Sequence, residues 1–169
     1  VSDADRYIAR LEAHAVEVWP WLFERNVAGD GNCQFRAAAV QTEYGEESHY
    51  QLRREAVAEV ESDPKYWAQF FDEGMPMKQW IAGVKGTDWG DNWSLMGICD
   101  ALVRPAIVWR KANPEQPPTC IVSRKNKLDD GAIPIYLYLD ERPDKGLRFA
   151  ALINRCLLYT SDAADELSC

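Results

Sequence analysis

The chain has 169 residues, 47% of them hydrophobic and 27% charged, with a formal net charge of −8. That length suits one domain with a sizeable buried core, and the composition is ordinary for a globular protein. The acidic balance argues against a nucleic-acid partner, which needs a basic face, and no apolar run approaches the roughly 20 residues of a membrane span.

In chain order, Ser2 followed by Asp5 resembles a capping box with Asp in place of Glu, and Tyr7, Leu11, Ala15 and Val18 recur at helical spacing behind it. Pro20 ends this first helix, and the apolar, mixed stretch 21–27 leads into the break Gly29-Asp30-Gly31-Asn32. A second helix is expected over 33–44, with Cys33, Ala37, Val40 and Tyr44 on one face and Gly45 closing it. Ser48 opens a third, with Leu52, Ala56 and Val60 inward, up to the stop at Asp63-Pro64. Tyr66, Trp67, Phe70 and Phe71 form an aromatic cluster on a short helix; 75–84 is a further helix, 86–92 a loop, and 94–102 a helix.

The second half changes character. Strands are expected over 106–109, 120–122, 133–139 and 148–153, separated by the proline-bearing loop 112–118 and the polar turn 125–131. Helices first and strands later give an α+β class, a small, mostly antiparallel sheet covered by helices. The domain is expected over 1–155. The segment 156–169 fits nothing before it and resembles translated sequencing-adapter read-through; a short amphipathic tail is the other reading.

Cys33, Cys99, Cys120, Cys156 and Cys169 are scattered, odd in number and form no C-x-x-C pair, so neither a disulfide framework nor a zinc site is expected. A reducing compartment, cytosol or nucleus, follows from that usage. The chain opens on Val1 and carries no signal peptide, as an excised fragment would, so targeting signals are expected to be missing. A monomer is expected.

The turn Asp30-Gly31-Asn32-Cys33 carries chemistry. Two glycines permit a tight turn, and a cysteine at a helix start gains thiolate stability from unpaired amides and the helix dipole. Loop amides of residues 30–33 can also face a developing oxyanion. This predicts Cys33 at a helix N-terminus, partly open to solvent, with a lowered pKa. Taken alone, such a turn fits a buried structural cysteine at least as well.

The longer string Arg25-Asn26-Val27-Ala28-Gly29-Asp30-Gly31-Asn32-Cys33-Gln34-Phe35-Arg36-Ala37 resembles the nucleophile motif of the ovarian tumour (OTU) deubiquitinases. Tyr44-Gly45, His49, Leu52-Arg53 and Val57 resemble that family's second helix, and Trp89-Gly90-Asp91-Asn92-Trp93-Ser94-Leu95 with Ala101-Leu102 its W-G block. Ile107-Val108-Trp109 and Ile135-Tyr136-Leu137 followed by Asp140-Glu141 resemble its strands, so the likeness runs over about 18–153. The resemblance implies a papain-like fold, Cys33 as nucleophile, Asp30 and the backbone of Gly31, Asn32 and Cys33 at the oxyanion hole, and no metal or organic cofactor. It implies ubiquitin or polyubiquitin as partner, cut at the isopeptide bond. Trp89, Gly90 and Asp91 are substrate-loop candidates, although packing for Trp89 and helix capping for Asp91 are simpler roles.

One position departs from the family. Its late histidine-tyrosine pair, followed by a polar orienting residue, corresponds here to Arg148, Phe149 and Ala150. Arginine stays protonated and cannot act as a base. The two histidines, His14 and His49, fall on helices away from that strand. Three readings stand: an impaired deubiquitinase, a ubiquitin-binding pseudo-protease, and an unrelated acidic α+β domain with a fortuitous turn.

Overall fold

The computed structural model describes residues 1–142 and 146–155. The proposed tail at 156–169, with Cys156 and Cys169, lies outside the described residues, as do residues 143–145.

The elements are α1 (Asp3–Val18), β1 (Leu22–Arg25), α2 (Cys33–Ala39), α3 (His49–Ser62), α4 (Pro64–Trp67), α5 (Met77–Lys85), α6 (Asn92–Leu102), β2 (Ala106–Arg110), β3 (Thr119–Ile121), β4 (Ile135–Arg142) and β5 (Gly146–Asn154). One five-stranded sheet has the order β1-β5-β4-β2-β3. The β2–β4 pair is parallel, with Ile107 opposite Tyr136; the other three pairs are antiparallel. This is the mostly antiparallel α+β arrangement that the order of elements suggested.

The alternation of a β-strand puts successive side chains on opposite faces. Ala106, Val108, Ile135, Leu137, Phe149 and Ala151 face the main core, which α2, α3, α5 and α6 complete through Phe35, Val57, Val60, Trp80 and Ile98. Ile107, Trp109, Tyr136 and Leu152 face the other way, onto the Tyr7, Leu11, Ala15 and Val18 stripe of α1. The sheet is thus covered on both faces. Each fully buried Val, Leu, Ile or Phe side chain among them contributes about 1.5–3 kcal/mol.

Local departures from the sequence reading have simple causes. The 21–27 stretch contains β1, because pairing with β5 (Leu22 with Asn154, Arg25 with Ala151) organises four residues too few to show a period of their own. The α2 helix stops at Ala39 rather than running to Tyr44, which stands 74% exposed. Thr42 Oγ1 bonds back to the Ala39 carbonyl there, an alternative to helical pairing. Ser2 accepts from the Asp5 amide as expected, whereas Asp5 binds the Ser2 hydroxyl and not its amide, so the box is half-formed. Ile133 and Pro134 precede β4 instead of belonging to it. No helix among the described residues is long and apolar enough to cross a membrane.

Candidate active site

Cys33 is the first residue of α2, at the end of the 26–32 loop that leaves β1. The turn is held by its own polar groups: the Cys33 amide donates to the Asp30 carbonyl at 3.2 Å, and the Asn32 amide to the Asp30 carboxylate at 2.9 Å. Two of the amides that the sequence offers to an oxyanion are therefore engaged within the turn. Arg36, one helical turn on, grips the Asp30 carboxylate through Nε and Nη2 (3.0 Å) and reaches Glu46 at 3.2 Å. Burial pushes the Asp30 pKa up, but the Arg36 and Asn32 hydrogen bonds outweigh it and hold the group below the usual carboxylate range.

The thiol does not match the expectation of partial exposure. Cys33 is 1% exposed, and its pKa lies above the ordinary value instead of below it. Burial is the dominant cause; hydrogen bonds from the Phe149 and Gln34 amides pull the other way, as does the charge of Arg148, while that of Asp30 adds to the rise. Desolvation of the charged form outweighs the two amides and the Arg148 charge together.

The strand beside the thiol is β5. The Phe149 amide donates to Cys33 Sγ at 3.4 Å, which fixes residue 148 next to the sulfur's surroundings. The Arg148 guanidinium lies over Gly29, so that a Cβ built on Gly29 would meet Arg148 Cζ at 3.3 Å. It donates to the Val27 carbonyl at 3.3 Å and makes no ion pair among the described residues. Arg148 pairs across the strands with Asp140. A polar cavity of about 160 Å³ adjoins it, lined by Lys111 and Arg142, by Glu24 and Asp140, and floored in part by Ala150. Neither histidine is among the partners of Cys33. His14 Nε2 sits 2.7 Å from the Tyr136 hydroxyl on the α1 side, and His49 is buried against Tyr50 with Nδ1 unpartnered. Burial, and then Arg36, push the His49 pKa down.

The 86–92 loop forms the other wall. A Cβ on Gly31 would lie 3.5 Å from the Trp89 indole nitrogen, and Trp89 itself is 46% exposed. Gly90 and Asp91 have structural employment. Gly90 packs on Gln34, so closely that a Cβ would stand 2.8 Å from that side chain's own Cβ. Asp91 caps α6 in a full capping box with Ser94 and also accepts from Trp80 Nε1 at 2.9 Å.

The roles of two residues that organise the site escaped the sequence reading. Gln34, fully buried, donates to the Asp91 carbonyl and accepts from Ser94, tying α2 to the 86–92 loop. Arg53, 3% exposed on α3, donates to Val84 O (2.9 Å), Asp88 O (2.8 Å), Gly31 O (3.0 Å) and Asn32 Oδ1 (2.7 Å), with its guanidinium 4.2 Å from the Phe35 ring centre. A polar residue in an otherwise apolar helical stripe is the signal that marks both. Among the described residues no group of three or more His, Cys, Asp or Glu is placed to hold a metal ion.

No family model matches the chain. Over 101 residues it is 34% identical to OVARIAN TUMOR DOMAIN-containing deubiquitinating enzyme 12 of Arabidopsis thaliana, covering 58% of this chain and 42% of that protein. It is 32% identical over 102 residues to enzyme 10 of the same series and plant, covering 60% of this chain and 26% of that protein. The chain thus spans less than half the length of these curated relatives. Among solved structures, the OTUD1 OTU domain superposes with a TM-score of 0.62 at 15% identity, over 90% of this chain and all of that one. An OTU domain in complex with ubiquitin gives 0.58 at 18% identity, over 86% of this chain and 79% of that one. An OTU deubiquitinase from Wolbachia pipientis wMel bound to ubiquitin gives 0.54 at 14%, over 80% and 98%. The chain has the fold of the ovarian tumour domains, and OTU-domain deubiquitinating enzymes are its homologues by sequence.

Proposed function

We propose that the chain is a ubiquitin-directed OTU domain in which Cys33 occupies the nucleophile position and hydrolysis is impaired because Arg148 stands where a general base is required. The observation that supports this is the Phe149 amide on the Cys33 sulfur at 3.4 Å, from the residue that follows Arg148 on β5, with His14 bonded instead to Tyr136. Attack on an isopeptide carbonyl needs a group that takes the thiol proton and returns it to the departing lysine amine. Arg148 carries its proton permanently and does neither. Its charge eases ionisation of Cys33, yet burial outweighs that help. The 30–33 backbone is the proposed oxyanion site, and the Asn32 and Cys33 amides must leave Asp30 to serve it. Trp89, the exposed aromatic side chain of its loop, is the proposed wall for the substrate tail.

The closed thiol and raised pKa favour the second reading as well, a module that grips ubiquitin without cutting it. The deciding experiment restores the base: Arg148→His, then Arg148→His with Ala150→Asn, assayed on di-ubiquitin. General acid–base help is worth about 10² to 10⁴ in rate, so the double variant is expected to cleave where the unaltered chain does not, and Cys33→Ala in that background abolishes the gain. Ordinary cleavage by the unaltered chain overturns the proposal. A double variant that folds and binds ubiquitin but stays inert assigns the chain to binding alone.

A further inference from the structure

We propose that His49 is a proton switch on the Cys33 turn, which keeps the thiol enclosed while the imidazole is neutral and releases it when the ring is protonated in mild acid. The inference rests on the reading of the 30–33 turn as the site. It concerns access to Cys33 and needs no ubiquitin for its test, so it stands or falls separately from the proposed ligand.

Two guanidiniums hold the turn from outside. Arg36 on α2 grips the Asp30 carboxylate at 3.0 Å. Arg53 on α3 holds Gly31 O at 3.0 Å and Asn32 Oδ1 at 2.7 Å. His49 opens α3 four residues before Arg53, so the two side chains are neighbours on one face of the helix. The histidine is 2% exposed, its ring centre lies 3.9 Å from that of Tyr50, and its Nδ1 is buried without a partner.

Three features of that place oppose a positive ring. An imidazolium carries an N–H on both nitrogens, and the one on Nδ1 meets no acceptor. The first residue of a helix faces the positive end of its dipole. Arg53, one turn on, and Arg36, across on α2, are like charges. Asp30 and Glu47 are the carboxylates that favour the proton. Burial first, and then Arg36, outweigh them, and the His49 pKa lies below its ordinary value of 6.5.

Once the turn opens and the ring meets water, the ordinary affinity for the proton returns. The open form then takes up a proton that the closed form refuses. The closed form is favoured above about pH 6.5, and opening rises by up to about tenfold per pH unit below it, until the closed form protonates as well. A charge on His49 bears on the two guanidiniums, and their displacement takes the holds on Asp30, Gly31 and Asn32 with it. The Asp30 carboxylate does not share this window: its pKa is held below the ordinary 3.8, so its pairing with Arg36 survives mild acid.

The test follows the enclosure of Cys33 as the pH falls. The full chain is reacted with a pyridyl disulfide at pH 7.5, 6.5 and 5.5, and labelling at Cys33 is read by peptide mass. Each rate is divided by that of a short unstructured cysteine peptide at the same pH, which removes the ionisation of the thiol itself. Protection is expected to fall several-fold, up to about tenfold, between pH 7.5 and 5.5, with far-UV circular dichroism unchanged. His49→Gln, which cannot titrate, is expected to hold protection level, while His14→Gln leaves the fall in place. Should His49→Gln not fold, the ring-proton NMR signals of the unaltered chain decide, with the His49 signal expected to titrate below pH 6.5. Level protection in the unaltered chain overturns the inference. So does an equal fall in His49→Gln, a His49 signal that titrates at or above pH 6.5, or a loss of helix signal in step with protection, which makes the opening global.

Discussion

Arg53 is the perturbation with the clearest consequence. Replacing it by Met keeps length and apolar volume but removes five donors at once. Four acceptors lose their partner: Val84 O in the core, and Asp88 O, Gly31 O and Asn32 Oδ1 in half-buried positions where water has partial access. A buried acceptor stripped of its bond costs about 1–3 kcal/mol, and those reached by water less. Against this stands relief, because Arg53 Nε is buried without a partner and the guanidinium itself is desolvated. The balance is a loss of about 3 kcal/mol, equivalent to a Tm lower by about 6–12 °C for a domain of this size. Urea unfolding is the assay, with a lowered midpoint and an unchanged slope expected. A second readout is local: alkylation of Cys33 by iodoacetamide at fixed pH should quicken, since Arg53 joins α3 to both walls of the site through Gly31 and Asp88. A variant with an unchanged midpoint and unchanged alkylation refutes the claim that Arg53 holds the loops.

Other expectations follow from named contacts. Gly90→Ala should destabilise by about 1–3 kcal/mol, because the new methyl meets the fully buried, doubly bonded Gln34 side chain, whereas Gly83→Ala should be neutral or stabilising, its neighbour being the exposed Asp88 and its place the interior of α5; thermal melts of the pair check the contrast, and equal losses would refute it. Asp91→Ala should cost about 1–2 kcal/mol by removing the α6 capping box and the acceptor of Trp80, read as a lowered urea midpoint, with an unchanged midpoint counting against it. Stability should fall from about pH 8.5 upward: burial raises the pKa of Cys33 and Cys99, and takes Cys120 to about 11 and Tyr136 to about 12, so the unfolded chain sheds protons that the folded one keeps. Urea midpoints at pH 7.5, 9 and 10 should descend in that order; a flat series contradicts the burial argument.

How much the sequence disclosed depended on how local each cause was. The α1, α3, α5 and α6 helices and strands β2 to β5 were legible within a few residues because apolar spacing, Pro64 and the turn residues act along the chain. Strand β1 was not, since four residues acquire their strand character from β5, far away in sequence. The place of Cys33 at the head of a helix was readable from its glycines; its enclosure was not, because β5 supplies the covering amide. Arg148 could be set beside Cys33 only through the likeness to a family, and the cavity next to it draws on three strands and the segments between them. Arg53 entered the sequence reading only through its likeness to the family's second helix, and only the fold shows its four partners.

The pairing of β1 with β5 carries a further consequence, for the order of assembly. Arg25, from which the 26–32 loop departs, lies opposite Ala151, and the sulfur of Cys33 receives its amide from Phe149. The earlier-made segment thus waits for one made more than a hundred residues later. Loop closure over more than a hundred residues is entropically slow, and sequence-distant pairing of this kind delays folding. On the ribosome, α3, α5 and α6 can gather early, while the thiol stays open to solvent and oxidants until β5 has left the exit tunnel. Cys33 is then a timer of completion: its protection from a small alkylating reagent in stalled nascent chains should appear only once the residues of β5 are free to pair.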